Sequence, residues 1–302
     1  MREVGHLDIG PVRFSLRCGP DKLVRYAAPA YAGFFVRGPE PGASAPLGGM
    51  PIDLVEQLPP LPLGEPIWRA GGNWAAWDAG GDLVIRSGLQ APKEAQMACR
   101  VARDLSRAEL APAPSAWVGG GCESPLRYPL DQILTWGLLS RIGGVLLHAA
   151  VAVRDGQGWV FTGRSGAGKS TLAGLCHAAG HRILNDDRVL VFPRGGQWRV
   201  AGTPWHGSGR FAEAAEVPLG GLLFLKQAPE NRLEEMAPSA SRLALLDVAA
   251  VPWFEDAWAQ GTLDGLDRLA REVELQRFHF TRTPAAVRVV ENAQGLCPGV
   301  CA

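Results

Sequence analysis

Gly163-Arg164-Ser165-Gly166-Ala167-Gly168-Lys169-Ser170 fits the pattern G-x-x-x-x-G-K-[ST] without a mismatch. Residues of these types bind phosphate. Glycines let the backbone approach the oxygens closely and point several N–H groups inward. A helix starting at the end of the loop adds a favourable dipole. The Lys169 ammonium can bridge β- and γ-phosphates, and the Ser170 hydroxyl can ligate Mg²⁺. Thr171 supplies a second hydroxyl for the α-phosphate. The ligand expected from this loop is a nucleoside triphosphate, ATP with Mg²⁺.

The next carboxylates along the chain are Asp186 and Asp187, in Asn185-Asp186-Asp187. Two adjacent acids suit phosphoryl transfer: one can hold Mg²⁺ and the other can take the proton of an attacking hydroxyl. Close like charges and a metal push two such pKa values apart. The rival reading is a solvated Asp-Asp turn opening a hairpin. His148 follows the apolar Val145–Leu147; on its own it reads as a core histidine.

These residues need elements to hold them. Leu130–Arg141 has helical spacing, with Asp131 near its start and Gly143-Gly144 after its end. Val145–Val153 and Gly158–Thr162 read as buried strands, and Ser170–Ala179 as a helix stopped by Gly180. Ile183-Leu184 returns as a short strand that carries the aspartates back to the loop. Arg188–Phe192 and Trp198–Val200 form a hairpin through Gly195-Gly196. Leu222–Leu225 and Arg277–Phe280 read as further strands; Ser239–Leu246, Asp264–Glu274 and Pro284–Asn292 read as helices. Before Gly121 the chain is rich in Gly and Pro, with short strands at Val12–Leu16, Gly33–Val36 and Asp82–Ile85. Trp68, Trp74 and Trp77 there suggest a core or interface cluster. Pro92–Leu110 has the spacing of one surface helix, and Ala111–Ser124 the composition of a linker. The expected organisation is therefore a β-rich lobe over 1–121 and a nucleotide-binding domain over 122–302.

Composition narrows the partners. Of 302 residues, 30 are basic and 30 acidic. Zero net charge gives no reason to expect nucleic acid or a membrane surface as partner. The most apolar long segment, Ile133–Val153, contains Arg141, His148 and two glycines, so no membrane span is expected. The start of the chain lacks the apolar stretch of a signal peptide. The six cysteines are irregularly spaced, and Cys297 and Cys301 have no second ligand pair nearby. Free thiols in a reducing cytoplasm are expected.

The order LHAAVAV, VFTGRSGAGKSTL, GHRILNDD over Leu147–Val189 resembles the HPr kinase/phosphorylase and phosphoenolpyruvate carboxykinase superfamily. A looser likeness over Tyr128–Val290 is to diverged HPr-kinase-related proteins of bacterial peptide-modification settings. It rests on Tyr128–Leu134, Gly202–Gly207 and Pro229–Leu233. The resemblance implies an α/β P-loop domain of HPr-kinase/PEP-carboxykinase type; the smaller β-rich N-terminal lobe that precedes it could dock substrate or partner. It implies an ATP- and Mg²⁺-dependent kinase acting on a hydroxyl, foremost Ser of a peptide or small protein. It makes His148 an active-site residue, Lys169 and Ser170 the nucleotide and metal residues, and Asp186 and Asp187 the metal ligand and catalytic base in an order left open. HPr kinases form rings, so a homo-oligomer stays open. Thr171 stands where HPr kinases carry an acid, and their Arg-Gly-Leu-Gly segment is absent; both argue against HPr as the acceptor. Rival readings are a kinase of a small hydroxyl metabolite such as serine, a nucleotide-dependent binding module, and a nucleotide hydrolase. Thr203–Gly207 reads as a packed Pro/Gly loop or a lid over the aspartates, and Arg210 and Arg232 as surface residues that could supply positive charge.

Overall fold

The computed structural model describes residues 1–38, 46–58 and 64–293. Cys297 and Cys301 lie outside them. The chain is mixed α/β, with many strands and few helices, and divides into two compact units. One comprises Met1–Leu138 with Pro252–Asp256; the other comprises Leu139–Val251 with Ala257–Ala302.

The first unit is built on short strands. They are β1 (Arg2–Ile9), β2 (Val12–Cys18), β3 (Val24–Arg25), β4 (Phe35–Arg37), β5 (Gly48–Leu54) and β6 (Trp68–Ala70). There follow β7 (Trp74–Asp78), β8 (Asp82–Ser87), β9 (Met97–Ala102), β10 (Ala108–Ala111), β11 (Trp117–Val118) and β12 (Gly121–Glu123). Nine of them form one sheet in the order β4-β1-β2-β5-β10-β9-β8-β7-β6, and β11-β12-β3 form a second. In β2, Val12, Phe14, Leu16 and Cys18 are buried and the residues between them are not, the period-two pattern of a strand with one covered face. Trp74 is buried and meets Phe254 edge-on at 5.4 Å, while Trp77 donates to the Gly64 carbonyl at 3.1 Å.

Two expectations fail in this unit. Pro92–Leu110 is no helix. Its later part is the antiparallel pair β9–β10, turned at Asp104, whose Oδ1 accepts from Ser106 N at 3.0 Å. Met97, Cys99 and Val101 alternate inward, and that burial overrides the helical spacing of the charges. Ala111–Ser124 is no linker either. Trp117 faces Cys122 and Val118 faces Gly121 across a hairpin, whose turn, Gly119-Gly120, has φ of 57° and 77°. Those angles are the ones a two-residue hairpin turn requires of glycine. The helix expected at Leu130–Arg141 is present as α1, with those bounds.

The second unit contains β13 (Val145–Arg154), β14 (Gln157–Thr162), α2 (Lys169–Ala178), β15 (Arg182–Asn185), β16 (Arg188–Arg194) and β17 (Gln197–Ala201). After these come β18 (Glu216–Gln227), β19 (Arg232–Glu235), α3 (Pro238–Val248), most of α4 (Asp256–Glu272), β20 (Leu275–Phe280) and α5 (Ala285–Asn292). Strands β14, β18 and β20 run parallel. Long strands β13 and β18 each serve several partners: β13 pairs with β14 and β15 toward one end and with β16 toward the other, while β18 pairs with β17 and then β14.

Both faces of this sheet are covered, as parallel strands require. On one face Ala150, Ala152, Trp159, Phe161, Leu223 and Phe278 meet Leu172 and Cys176 of α2 and Val287 of α5. On the other, Ala149, Val151, Val160, Leu222 and Phe224 meet Leu245 of α3 and Leu269 of α4. The cysteines Cys18, Cys99, Cys122 and Cys176 are free and buried. No helix among the described residues is long and apolar enough to cross a membrane.

Phe161 is fully buried between α2 and the sheet. Phe161→Ala is expected to destabilise the second unit by about 3–5 kcal/mol. Urea unfolding followed by circular dichroism measures this; a loss below about 1 kcal/mol would contradict the packing described.

Candidate active site

The parallel strands β14, β18 and β20 end at one edge of the sheet, with Thr162 opposite Phe224 and Gln227 opposite Phe280. The Gly163–Gly168 loop leaves that edge and enters α2. Open α/β sheets bind ligands outside the carboxyl ends of their parallel strands. Gly168 has φ 107°, and a Cβ there would come within 2.5 Å of the Phe280 ring. Glycine is needed at this position on both counts. α2 has no acidic residue in its first turn, so nothing in that turn competes for its unpaired N–H groups.

Lys169 is only 6% exposed. Its Nζ donates to the carbonyls of Gly163 at 2.9 Å and Arg164 at 3.3 Å. An ammonium has three N–H donors, so the loop carbonyls aim the group without exhausting it. Burial lowers its pKa, opposed by the Asp187 charge.

The aspartates lie between two strand segments that share a partner. Val151 of β13 faces Asn185 of β15, and His148 of β13 faces Arg188 of β16. The register runs on through the gap, where Ala149 N donates to the Asp187 carbonyl at 3.1 Å. Asn185 shapes the turn. Its Oδ1 accepts from the N–H groups of Asp187 and Arg188, each at 2.8 Å. Its Nδ2 donates to the Thr203 carbonyl at 2.9 Å.

The two carboxylates sit in different surroundings. Asp186 is 2% exposed. It accepts from Gly207 N at 2.8 Å and Gly209 N at 2.6 Å, one N–H on each oxygen. Asp187 faces His148 and Arg188. Its Oδ1 lies 2.9 Å from His148 Nδ1 and 3.5 Å from an Arg188 nitrogen, and Arg188 also contacts His148 Nδ1. Burial raises the Asp187 pKa; the His148 hydrogen bond and the charges of Arg188, His148 and Lys169 together outweigh it. The net pKa is below the ordinary carboxylate value.

A cleft of about 420 Å³ opens between these groups. Of the residues expected from sequence, His148, Ser165, Gly166, Gly168, Lys169, Ser170, Thr171, Asp186 and Asp187 line it. Gly163, Arg164 and Ala167 shape the loop without lining the cleft; Gly163 and Arg164 act through their carbonyls on Lys169. In the Thr203–Gly207 segment Thr203 and Trp205 are buried, His206 is exposed, and Gly207 reaches the cleft. Arg210 and Arg232 are not among its lining residues, and Arg232 pairs with Glu234 at 2.9 Å.

Ser208, Gln227 and Arg282 also line the cleft, and sequence reasoning missed all three, as it missed Asn185 and Arg188. Asn185 had a signal: an Asn directly before an Asp pair at a strand end is a turn-former through its own side chain. Gln227 and Arg282 had none, because they reach the cleft only through the parallel pairing of β18 and β20.

Residues 133–279 match the family model described as SynChlorMet cassette protein ScmC, a span slightly under half of the chain. No curated protein matches. Among solved structures, the HPr(Ser) kinase/phosphatase from Coxiella burnetii is similar over 48% of this chain and 90% of that one, at 15% identity and a TM-score of 0.27. A likeness that low bears no weight for the function of this chain.

The depressed pKa of Asp187 has a stability consequence. The native state favours its charged form, so the carboxylate stabilises above the ordinary carboxylate pKa of about 3.9, and that contribution fades as pH falls through the lower native value. Asp187→Asn is expected to be less stable than wild type at pH 7, with a smaller gap at an acid pH below the ordinary carboxylate value. Urea midpoints at the two pH values check this; a gap that stays constant would refute it.

Proposed function

We propose that the second unit is a phosphotransferase that moves the γ-phosphoryl group of ATP to a hydroxyl, with Ser of a peptide or small protein as acceptor. The observation that carries this reading is the placement of Asp187. It is an ionised carboxylate on the cleft wall, beside the buried Lys169 that emerges from a glycine-rich loop. A carboxylate at that place can hold a cation against the phosphates and take the proton of an attacking hydroxyl, the two tasks phosphoryl transfer sets.

The residues divide the work as follows. The loop N–H groups and the first turn of α2 hold the phosphate chain. Lys169 balances charge on the transferred group. Ser170 and Asp187 both line the cleft and offer oxygen donors. Mg²⁺ takes few protein ligands beside phosphate oxygens, so these two would hold it, and the bound ion would supply further charge neutralisation. Asp187 accepts the proton of the acceptor hydroxyl as that oxygen bonds to the γ-phosphorus and the bond to the β–γ bridging oxygen breaks, leaving ADP. Its low pKa keeps the carboxylate ionised at neutral pH and makes it a weak base, one that orients the hydroxyl and takes its proton as the oxygen bonds to phosphorus. His148 fixes the Asp187 carboxylate through Nδ1. Asp186 lines the cleft and, through one N–H on each oxygen, positions the Gly207–Gly209 loop. On this reading both roles that the sequence divided between the two acids fall to Asp187. The β-rich lobe expected over 1–121 serves as the docking part for the acceptor.

Mass spectrometry of the protein with Mg²⁺-ATP and a Ser-containing peptide library tests the reading, with Lys169→Ala as the blank. A phosphate gained on a peptide, absent with Lys169→Ala, is expected. Asp187→Asn should cut transfer by about 10²–10⁴-fold while ATP still binds; Asp186→Asn should have the smaller effect. ATP binding without any phosphopeptide would remove the peptide acceptor and turn the assignment to a small hydroxyl metabolite. Full activity in Asp187→Asn would sink the mechanism.

A further inference from the structure

We propose that Arg282 binds the nucleotide's phosphate chain at its nucleoside end, and that Asn231 holds it there. This rests on the nucleotide reading of the cleft and adds a subsite to it.

The order of strands along the sheet edge sets the direction of the cleft. Asp187 sits on the outer side of β13, the loop leaves β14, Gln227 ends β18, and Arg282 follows β20. Neighbouring strands lie about 4.8 Å apart, so the two ends of this series are well separated. Phosphoryl transfer needs the γ-phosphate near Asp187 and Lys169. The rest of the chain of phosphates then runs along the edge, past the first turn of α2, toward Gln227 and Arg282.

Arg282 is suited to meet it. It is exposed, lines the cleft, and makes no ion pair or hydrogen bond among the described residues. Most arginines of this unit differ. Arg182 pairs with Glu213, Arg199 with Glu216, Arg242 with Asp267 and Arg268 with Glu272. A guanidinium left without an acid, on the rim of a cleft lined by a Lys and helix N–H groups, is set for an anion.

The turn that carries Arg282 is tied down. Asn231 Oδ1 accepts from Thr281 N at 2.7 Å and lies 3.2 Å from Thr281 Oγ1. Asn231 Nδ2 lies 3.1 Å from that hydroxyl, and Thr281 Oγ1 and Thr283 Oγ1 are 2.8 Å apart. Phe280, two residues before Arg282, packs against Gly168. On the loop side, Gln227 Nε2 donates to the Gly166 carbonyl at 2.9 Å. Within the Pro229–Leu233 segment, Asn231 thus fixes the turn beside the phosphate loop.

Equilibrium affinities for Mg²⁺-ATP and Mg²⁺-ADP test the proposal on the full chain. Arg282→Ala is expected to weaken both about 10-fold or more, by the same factor, because the contact spares the γ-phosphate. Asn231→Ala should show a similar loss, the double variant no further loss, and Asn231→Asp, which keeps the acceptor for Thr281 N, most of the wild-type affinity. That non-additivity and rescue separate positioning from general destabilisation. Unchanged affinity in Arg282→Ala, with wild type binding and Lys169→Ala not, would overturn this subsite and leave the phosphate loop reading intact. A loss for ATP alone would move Arg282 to the γ-phosphate and overturn the placement. Failure of the wild type to bind either nucleotide would overturn both readings.

Discussion

The pairing of β13 with β14 on one side and with β15 and β16 on the other brings the chemistry of this protein together. Without it the loop, the histidine and the aspartates are separate stretches of sequence. With it, Ala149 stands opposite Thr162 at the mouth of the loop, His148 opposite Arg188, and Val151 opposite Asn185. A slip by one residue would reverse every side chain on β13 and take His148 from the cleft. The slip is opposed by burial on both faces: Ala149 and Val151 fill one core, Ala150 and Ala152 the other. Small side chains on the second face make room for Trp159 and the first turns of α2. The register of the site is thus fixed by the packing of the core, and the hydrogen bonds of Asn185 complete it locally.

Electrostatics then distinguishes two acids that are neighbours in sequence. Asp186 is buried and accepts from two backbone N–H groups of one loop. Asp187 looks toward the His148 ring and the charges of Lys169 and Arg188, which together keep it ionised against the cost of burial. The arrangement concentrates positive charge where phosphate would gather and sets the Asp187 carboxylate within it. Fixed charges of this kind, held by the fold before substrate arrives, need no reorganisation during the reaction.

Much of this was legible in the chain. The phosphate loop could be read because its geometry dictates residue types: glycine at position 168 answers to a backbone angle and to Phe280, and no other residue satisfies both. The helix over Leu130–Arg141 and the strands on either side of the loop could be read from their apolar runs. The β9–β10 pair could not, since charges at helical spacing masked the alternation of Met97, Cys99 and Val101. The hairpin at Gly119-Gly120 was hidden by a composition that linkers share. The difference between Asp186 and Asp187 was invisible too: it depends on Gly207 and Gly209, which only the fold brings near. Arg282 joins the cleft through a pairing of strands far apart in sequence, and pairings of that kind leave no local trace.

Hydrogen exchange of the backbone amides, with and without a non-hydrolysable Mg²⁺-ATP analogue, addresses the phosphate site most directly, because the account assigns the binding to those N–H groups themselves. Amides of Gly166–Thr171 should exchange more slowly with the analogue bound, and Lys169→Ala should abolish the protection. Unchanged exchange across that loop in the presence of saturating analogue would contradict the account.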